Sequence, residues 1–263
     1  MPTLPWTDGR VELWYVALDK LTDPALWAEY RGLLTREEAA QEQRFKPLES
    51  RRQFLVSRVL VRTALSHYTG VDPRAWEFTP NAYGKPAVNS PAAQGLEFNL
   101  SHTQGRVVCA CTWGHAIGVD VEASSRVTDH LAVAHSFFAP TEVVALAARP
   151  EAEQPGFFLE LWTLKEAFIK AVGKGLSIPL DQFAISLAAG QPPQISCTAL
   201  AGEDSAGWQL AQLRLGSRYR VGLALRLPAP AKLTVQLRES VPLRWLSESS
   251  LLPDDGVRRW AVD

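Results

Sequence analysis

The apolar run VELWYVAL (11–18), rich in β-branched and aromatic residues, predicts a first strand. Asp23-Pro24 then opens a short helical stretch, ALWAEYRG, ending near Gly32. Thr35, with Glu38 three residues on, reads as a capping box. A long helix follows from about 49 to 68, its apolar positions supplied by Phe54, Leu55, Leu60, Ala64 and Leu65, and Gly70 and Asp72-Pro73 stop it. The Pro-, Gly-, Asn- and Ala-rich stretch 79–95 predicts irregular chain. Three short strands are predicted next, LEFNLS, VVCACTW and AIGVDVE. Helical patterning returns over roughly 140–149 and again from Phe157 to Val172, ended by Gly173. FAISL, GWQLAQLRL, YRVGLALRL and KLTVQL alternate like an antiparallel meander. From Glu239 onward the chain predicts a tail lying on the body, anchored by Trp245 and Trp260.

This order of elements repeats faintly. Strand, capped helix at Glu37 and long helix recur as AIGVDVE, helix at Glu142 and long helix, and Gly84-Lys85 is echoed by Gly173-Lys174. A duplicated α+β unit, with a pseudo-twofold axis and a cleft between two halves, accounts for the pattern. The division expected is 1–114 and 115–238, with 239–263 as the tail.

Composition narrows the picture. The 263 residues are 46% apolar and 21% charged, near the globular average. Basic and acidic side chains, 27 and 28, nearly cancel to a net −1, which argues against a general nucleic-acid coat. No apolar stretch approaches the ~18 residues of a membrane span, and the N-terminus lacks the pattern of a signal peptide. Cys109 and Cys111 share one face of a strand and read as small buried hydrophobes. The expectation is a reduced, cytoplasmic protein.

Four constellations could carry chemistry. In AIGVDVE, Asp120 and Glu122 project from one face of a strand, and adjacent carboxylates repel unless a cation or proton lies between them. Such hard oxygen ligands suit Mg²⁺, while a solvated strand end is the plain alternative. In FFLELWTLKEAFIKAV, Glu166 and Lys170 share a helix face, either as an ordinary surface pair or as an acid and a cation that face developing charge. The segment 44–62 concentrates Arg44, Lys46, Arg51, Arg52, Arg58 and Arg62 against Glu49, and Arg51, Arg58 and Arg62 form one stripe. Arginine at that density suits phosphate, or else makes a solvated helix face. In FNLSHTQG (98–105) a polar cluster ends an apolar strand, as loops that bind anions do. Ser101-His102 as a hydrolase pair is disfavoured, because sequence neighbours on a strand point apart and no G-x-S-x-G is present.

GVDVE followed by WTLKEAFIKAVGKGLS resembles the two-part signature of 4′-phosphopantetheinyl transferases, with FNLSHT and AYGKP similar to the family's serine-histidine strand and Gly-Lys-Pro loop. The resemblance runs from about 34 to 187, and the length resembles the two-halved, surfactin-synthetase-activating type. It implies two similar α+β halves with coenzyme A in the cleft, and transfer of the phosphopantetheine arm to a carrier-protein serine with release of adenosine 3′,5′-bisphosphate. It implies that Asp120, Glu122 and Glu166 hold Mg²⁺, that Glu166 is the base and that Lys170 stabilises the leaving phosphate. It further implies that Ser101 and His102 contact the coenzyme's phosphates and that Lys85 lies near its nucleotide. Relatives often carry lysines before the first long helix, where TREEAAQEQ stands here, so Arg52 becomes the expected partner of the 3′-phosphate, with Arg51 and Arg58 behind it. The partners implied are an acyl or peptidyl carrier protein and coenzyme A, and the enzyme is expected to be a monomer. The region 137–149 is the expected docking surface. A coenzyme-binding scaffold without transfer activity is the alternative, and a Mg²⁺-dependent pyrophosphate hydrolase a weaker one.

Overall fold

The computed structural model describes residues 6–88, 90–126, 129–197 and 205–244; the predicted anchors Trp245 and Trp260 lie outside these. The first half runs β1 (Arg10–Ala17), α1 (Pro24–Arg31), α2 (Arg36–Arg44), α3 (Leu48–Thr69), β2 (Phe78–Pro80), β3 (Pro86–Val88), β4 (Leu96–Thr103) and β5 (Arg106–Trp113). The second runs β6 (Ile117–Ala123), α4 (His130–Phe137), α5 (Pro140–Ala147), α6 (Gln154–Val172), β7 (Phe183–Ser186), β8 (Gln194–Cys197), β9 (Trp208–Leu215) and β10 (Tyr219–Arg226). Sheet order repeats as well: β1-β5-β4 in one half is matched by β6-β10-β9 in the other, all antiparallel. The halves are similar α+β units, as the element order predicts.

Three apolar layers hold them together. α3 packs on the outer face of the first sheet through Leu55, Val59 and Leu60 against Trp14, Val107 and Cys109. α6 covers the outer face of the second sheet, and the inner faces meet through Val11, Leu13, Val108 and Ala110 against Val119, Val121 and Leu223. Among the described residues no helix is long and apolar enough to cross a membrane.

Several expectations change. The stretch 79–95 contains the β2–β3 hairpin, and α4 and β8 were not read from the pattern. The final strand, β11 (Thr234–Glu239), does not continue a meander: it pairs parallel to β1 and completes the first sheet. Its Arg238 donates to Glu12 of β1, which also accepts from Tyr68 at 2.9 Å. Burial pushes the Glu12 carboxyl up, but Arg238, Tyr68 and Arg10 together pull it below its ordinary value.

The repeat has a physical device at its centre, one residue away from where the sequence placed it. Glu38, not Glu37, corresponds to Glu142, because each reaches back from the third helical position to the backbone N–H that precedes its helix, at Thr35 (3.0 Å) and Ala139 (2.9 Å). Each also takes a buried cation from the long helix: Arg62 donates to Glu38 at 2.8 Å, and Lys165 to the two Glu142 oxygens at 2.8 and 2.6 Å. Each cation then meets a carbonyl beside the following hairpin, Trp76 O at 2.6 Å and Phe183 O at 2.7 Å. Gly173 is the counterpart of Gly70, both left-handed residues that end the long helices, and not of Gly84, which turns the β2–β3 hairpin.

Removing one partner of a buried pair strands the other charge, at a cost of about 3–5 kcal/mol. Lys165→Met should therefore lose stability of about that size in urea unfolding, and adding Glu142→Gln should recover part of it.

Candidate active site

The site forms where the two sheets meet edge to edge. β6 is an edge strand whose N–H groups at Val119 and Val121 have no ladder partner on that side. β4 satisfies them with side chains: Asn99 Oδ1 accepts from Val119 N at 2.9 Å and Ser101 Oγ accepts from Val121 N at 3.3 Å. Alternation puts Asn99, Ser101 and Thr103 on that face of β4 and leaves His102 exposed on the other. Thr103 then donates to Glu122 at 3.0 Å, and Gln53 of α3 ties down the Thr103 carbonyl at 2.6 Å.

On the outer face of β6, Asp120 is almost fully buried. Its Oδ1 accepts from Lys170 at 2.6 Å and from Ser101 at 2.9 Å. Lys170 also donates to Ser101 Oγ at 3.0 Å and to Val119 O at 3.3 Å, so its three donors are all engaged. Ser101 is saturated as well, donating once and accepting twice. Asp120 Oδ2 is buried with no hydrogen-bond partner among the described residues. Glu166, half-buried one turn before Lys170, has its carboxyl raised above the ordinary value, first by burial and then by Asp120, with Lys170 opposing and Glu122 adding to the rise. The sequence thus picked out a coupled set of two β6 acids, one α6 acid and one α6 cation.

α6 reaches this depth because two strands lack side chains beneath it. A Cβ on Gly118 would stand 2.0 Å from Ala167 O, and one on Gly222 2.4 Å from Thr163 O. Neither glycine has positive φ, so close approach of helix backbone to strand backbone is what requires them.

Other predicted residues sit elsewhere. Lys85 spans the halves: its ammonium donates to Ile117 O and Ala171 O, both at 3.1 Å, and burial pulls it below its ordinary value, with Glu97 opposing. Asn81 in the same hairpin donates to Gly173 O at 2.9 Å, so this turn clamps the end of α6. Arg52 is exposed and lies over the Trp27 ring at 4.8 Å. The rest of the arginine stripe is spent on α2: Arg51 lies 3.4 Å from Glu42, Arg58 3.8 Å from Glu38, and Arg62 is buried on Glu38. Those acids were visible in TREEAAQEQ. Lys165, to which the sequence assigned no role, is the buried pair's cation.

The donor set suits a hard divalent cation in part. Asp120 Oδ2 is a buried oxygen needing a partner, next to two further carboxylates that repel it. Among the described residues no three such side chains already converge as a metal cage. A cation that takes one or two carboxylates and completes its shell with phosphate and water fits that arrangement.

Comparison with known proteins agrees with the residues. Residues 116–224 match the profile of the 4′-phosphopantetheinyl transferase superfamily, and residues 23–114 match that of the 4′-phosphopantetheinyl transferase N-terminal region. The chain belongs to the 4′-phosphopantetheinyl transferase family. It is 31% identical over 224 residues to the 4′-phosphopantetheinyl transferase HetI of a Nostoc species, covering 79% of this chain and 93% of that one. It is 35% identical over 158 residues to the transferase Sfp of Bacillus subtilis, covering 60% and 68%. Among solved structures, Thermotoga maritima holo-[acyl-carrier-protein] synthase aligns with 21% identity and a TM-score of 0.35, over 43% of this chain and 63% of that one.

A 1 Å displacement of reacting groups can cost about a hundredfold in rate. Gly222→Ala should lift α6 from β10, lowering transferase turnover by about that factor while costing only about 1–3 kcal/mol in urea unfolding.

Proposed function

We propose that this protein transfers the 4′-phosphopantetheine arm of coenzyme A to a serine hydroxyl of an acyl or peptidyl carrier protein, releasing adenosine 3′,5′-bisphosphate. The observation that carries the reading is the bare, buried Asp120 Oδ2, set between Lys170 and Glu166 at the junction of the halves. Of the acids Asp120, Glu122 and Glu166, Asp120 and one neighbour would hold Mg²⁺ there, which when bound supplies charge neutralisation to the coenzyme's pyrophosphate. Glu166 takes the proton of the incoming serine, directly or through water. The serine oxygen forms a bond to the pantetheine-side phosphorus as the pyrophosphate P–O bond breaks, and the leaving phosphate carries away the electron pair. Lys170 stabilises that charge by exchanging its longest bond, the one to Val119 O at 3.3 Å, for a phosphate oxygen.

In this reading Ser101 acts by orienting Asp120 and Lys170, and Lys85 by holding β6 and α6 in register. The 3′-phosphate falls to Arg52 and to His102, both exposed. Both halves of the site belong to one chain, in keeping with a monomer, and the free buried thiols of Cys109 and Cys111 accord with a cytoplasmic setting.

The carrier docks on α4 and α5. Leu131, Phe137 and Val144 there are 36%, 51% and 69% exposed. Phe138, which follows α4, stacks on Phe158 and leans against Trp162, one turn before Glu166, so the apolar patch adjoins the reacting groups. Carrier proteins are helical around the serine and present an apolar and acidic face to such a rim.

Incubation with coenzyme A, Mg²⁺ and a carrier protein should raise the carrier's mass by one phosphopantetheine. Glu166→Gln should abolish the gain while coenzyme A still binds by calorimetry. A fully active variant overturns the role given to Glu166, and cleavage of coenzyme A without any carrier favours the hydrolase instead. Val144→Glu should raise KM for the carrier about tenfold with coenzyme A affinity unchanged, as expected when an apolar contact of about 1.4 kcal/mol is lost.

A further inference from the structure

A cavity of about 530 Å³ lies beside α6, over β9 and the start of β10. The catalytic acids sit on β6 and the cavity lies over β9 and β10, where Arg220 of β10 stands directly opposite Glu122 of β6. Alternation turns Gln212 and Arg214 of β9 and Arg220 of β10 toward α6, where Phe157 and Glu160 form the facing wall. The turn from Leu187 to Pro193 closes one side. In the duplicated order β9 is the counterpart of β4, and Arg214, next to last in its strand, stands where His102 stands on β4.

Two of the three guanidiniums around this cavity lie too far from the carboxylates of its wall to bond them. Arg214 donates to Glu160 at 2.9 Å, and Arg220 Nε lies 3.9 Å from the same carboxylate oxygen. Arg149, at the mouth over the Phe157 ring, lies 3.9 Å from Glu153. Arg214 alone is held closely by a carboxylate of the cavity wall, and Glu122 of β6 stands opposite Arg220 in the ladder. Donors are also left over: Gln212 Nε2 and Arg220 Nε are screened from solvent and have no hydrogen-bond partner among the described residues. A buried donor without a partner is destabilising, so two in one wall point to an acceptor that they turn to meet. Burial, and then the charge of Arg214, press on the Arg220 guanidinium, while Glu160 opposes them.

We propose that this cavity, which adjoins the catalytic acids but is lined by other residues, is a second binding site for a small oxyanion, a carboxylate or phosphate ester, on an apolar body. The forked guanidiniums of Arg214 and Arg220 match two oxygens of either anion. Phe157, Leu187 and Pro193 receive the apolar part.

Side-chain ¹H–¹⁵N spectra test this at the cavity itself, through the Arg220 Nε–H and Gln212 amide signals. Because Arg220 stands opposite Glu122, the titrations are run without Mg²⁺ and repeated on Asp120→Asn, so that an anion taken up at the acids is told apart from one taken up here. The probes are phenyl phosphate, benzoate and, as the neutral control, phenol. One of the two anions should move both signals to saturation at millimolar concentration, and which one does so identifies the oxyanion. Arg214→Met, at a half-exposed side chain, should weaken that binding about tenfold, the effect of one charge-assisted hydrogen bond. The proposal is overturned if neither anion gives a saturable shift, if phenol binds equally well, or if Arg214→Met binds as tightly as the wild type.

Discussion

The contact of α6 with the strands beneath it governs this molecule. A helix normally rides on a sheet at a distance set by the side chains between them, but here Gly118 and Gly222 leave helix and strand backbones touching. That closeness lets Lys170 reach Asp120 on β6, and it turns Thr163 away to bond the carbonyl of Leu159 in its own helix. It also brings Glu166 near enough to Asp120 and Glu122 for their charges to act on it. The acidic cluster is thus a product of packing as much as of the D-x-E spacing.

Duplication explains how such a contact can be borne. Each half anchors its long helix with a buried cation, a helix-capping glutamate and a carbonyl near the next hairpin, so helix and hairpin cannot slide independently. The device is the same, yet the halves have diverged in what surrounds it. The first half spends its arginines on α2, while the second keeps its acids turned to the junction. The near-neutral net charge conceals this division of labour.

Much of this was legible in the sequence. Long helices ended by glycine and strands rich in β-branched residues announce themselves locally, and the motif residues Asp120, Glu166 and Lys170 do assemble. What stayed hidden depends on partners distant in the chain. The strands β2 and β3 are three residues each, too short to show a period. The parallel pairing of β11 with β1 lies beyond any local pattern, since alternation gives a strand but not its neighbour. The partners of Arg51 and Arg58 were in view, but that Glu42 and Glu38 fold back onto α3 is a tertiary fact. Likewise Ser101 reads as a phosphate ligand until its hydroxyl is found to be fully engaged.

The return of β11 to the first sheet bears on how the chain comes into being. On a ribosome β1 emerges early, and its outer edge has no neighbour until residues 234–239 follow. The entire second half must be made in between. The first half therefore waits, incompletely sheathed, with an open strand edge of the kind that invites pairing with other chains. The second half, whose sheet is closed by sequential hairpin and crossover contacts alone, has no such wait, so the later part of the chain is free to mature before the earlier part is finished.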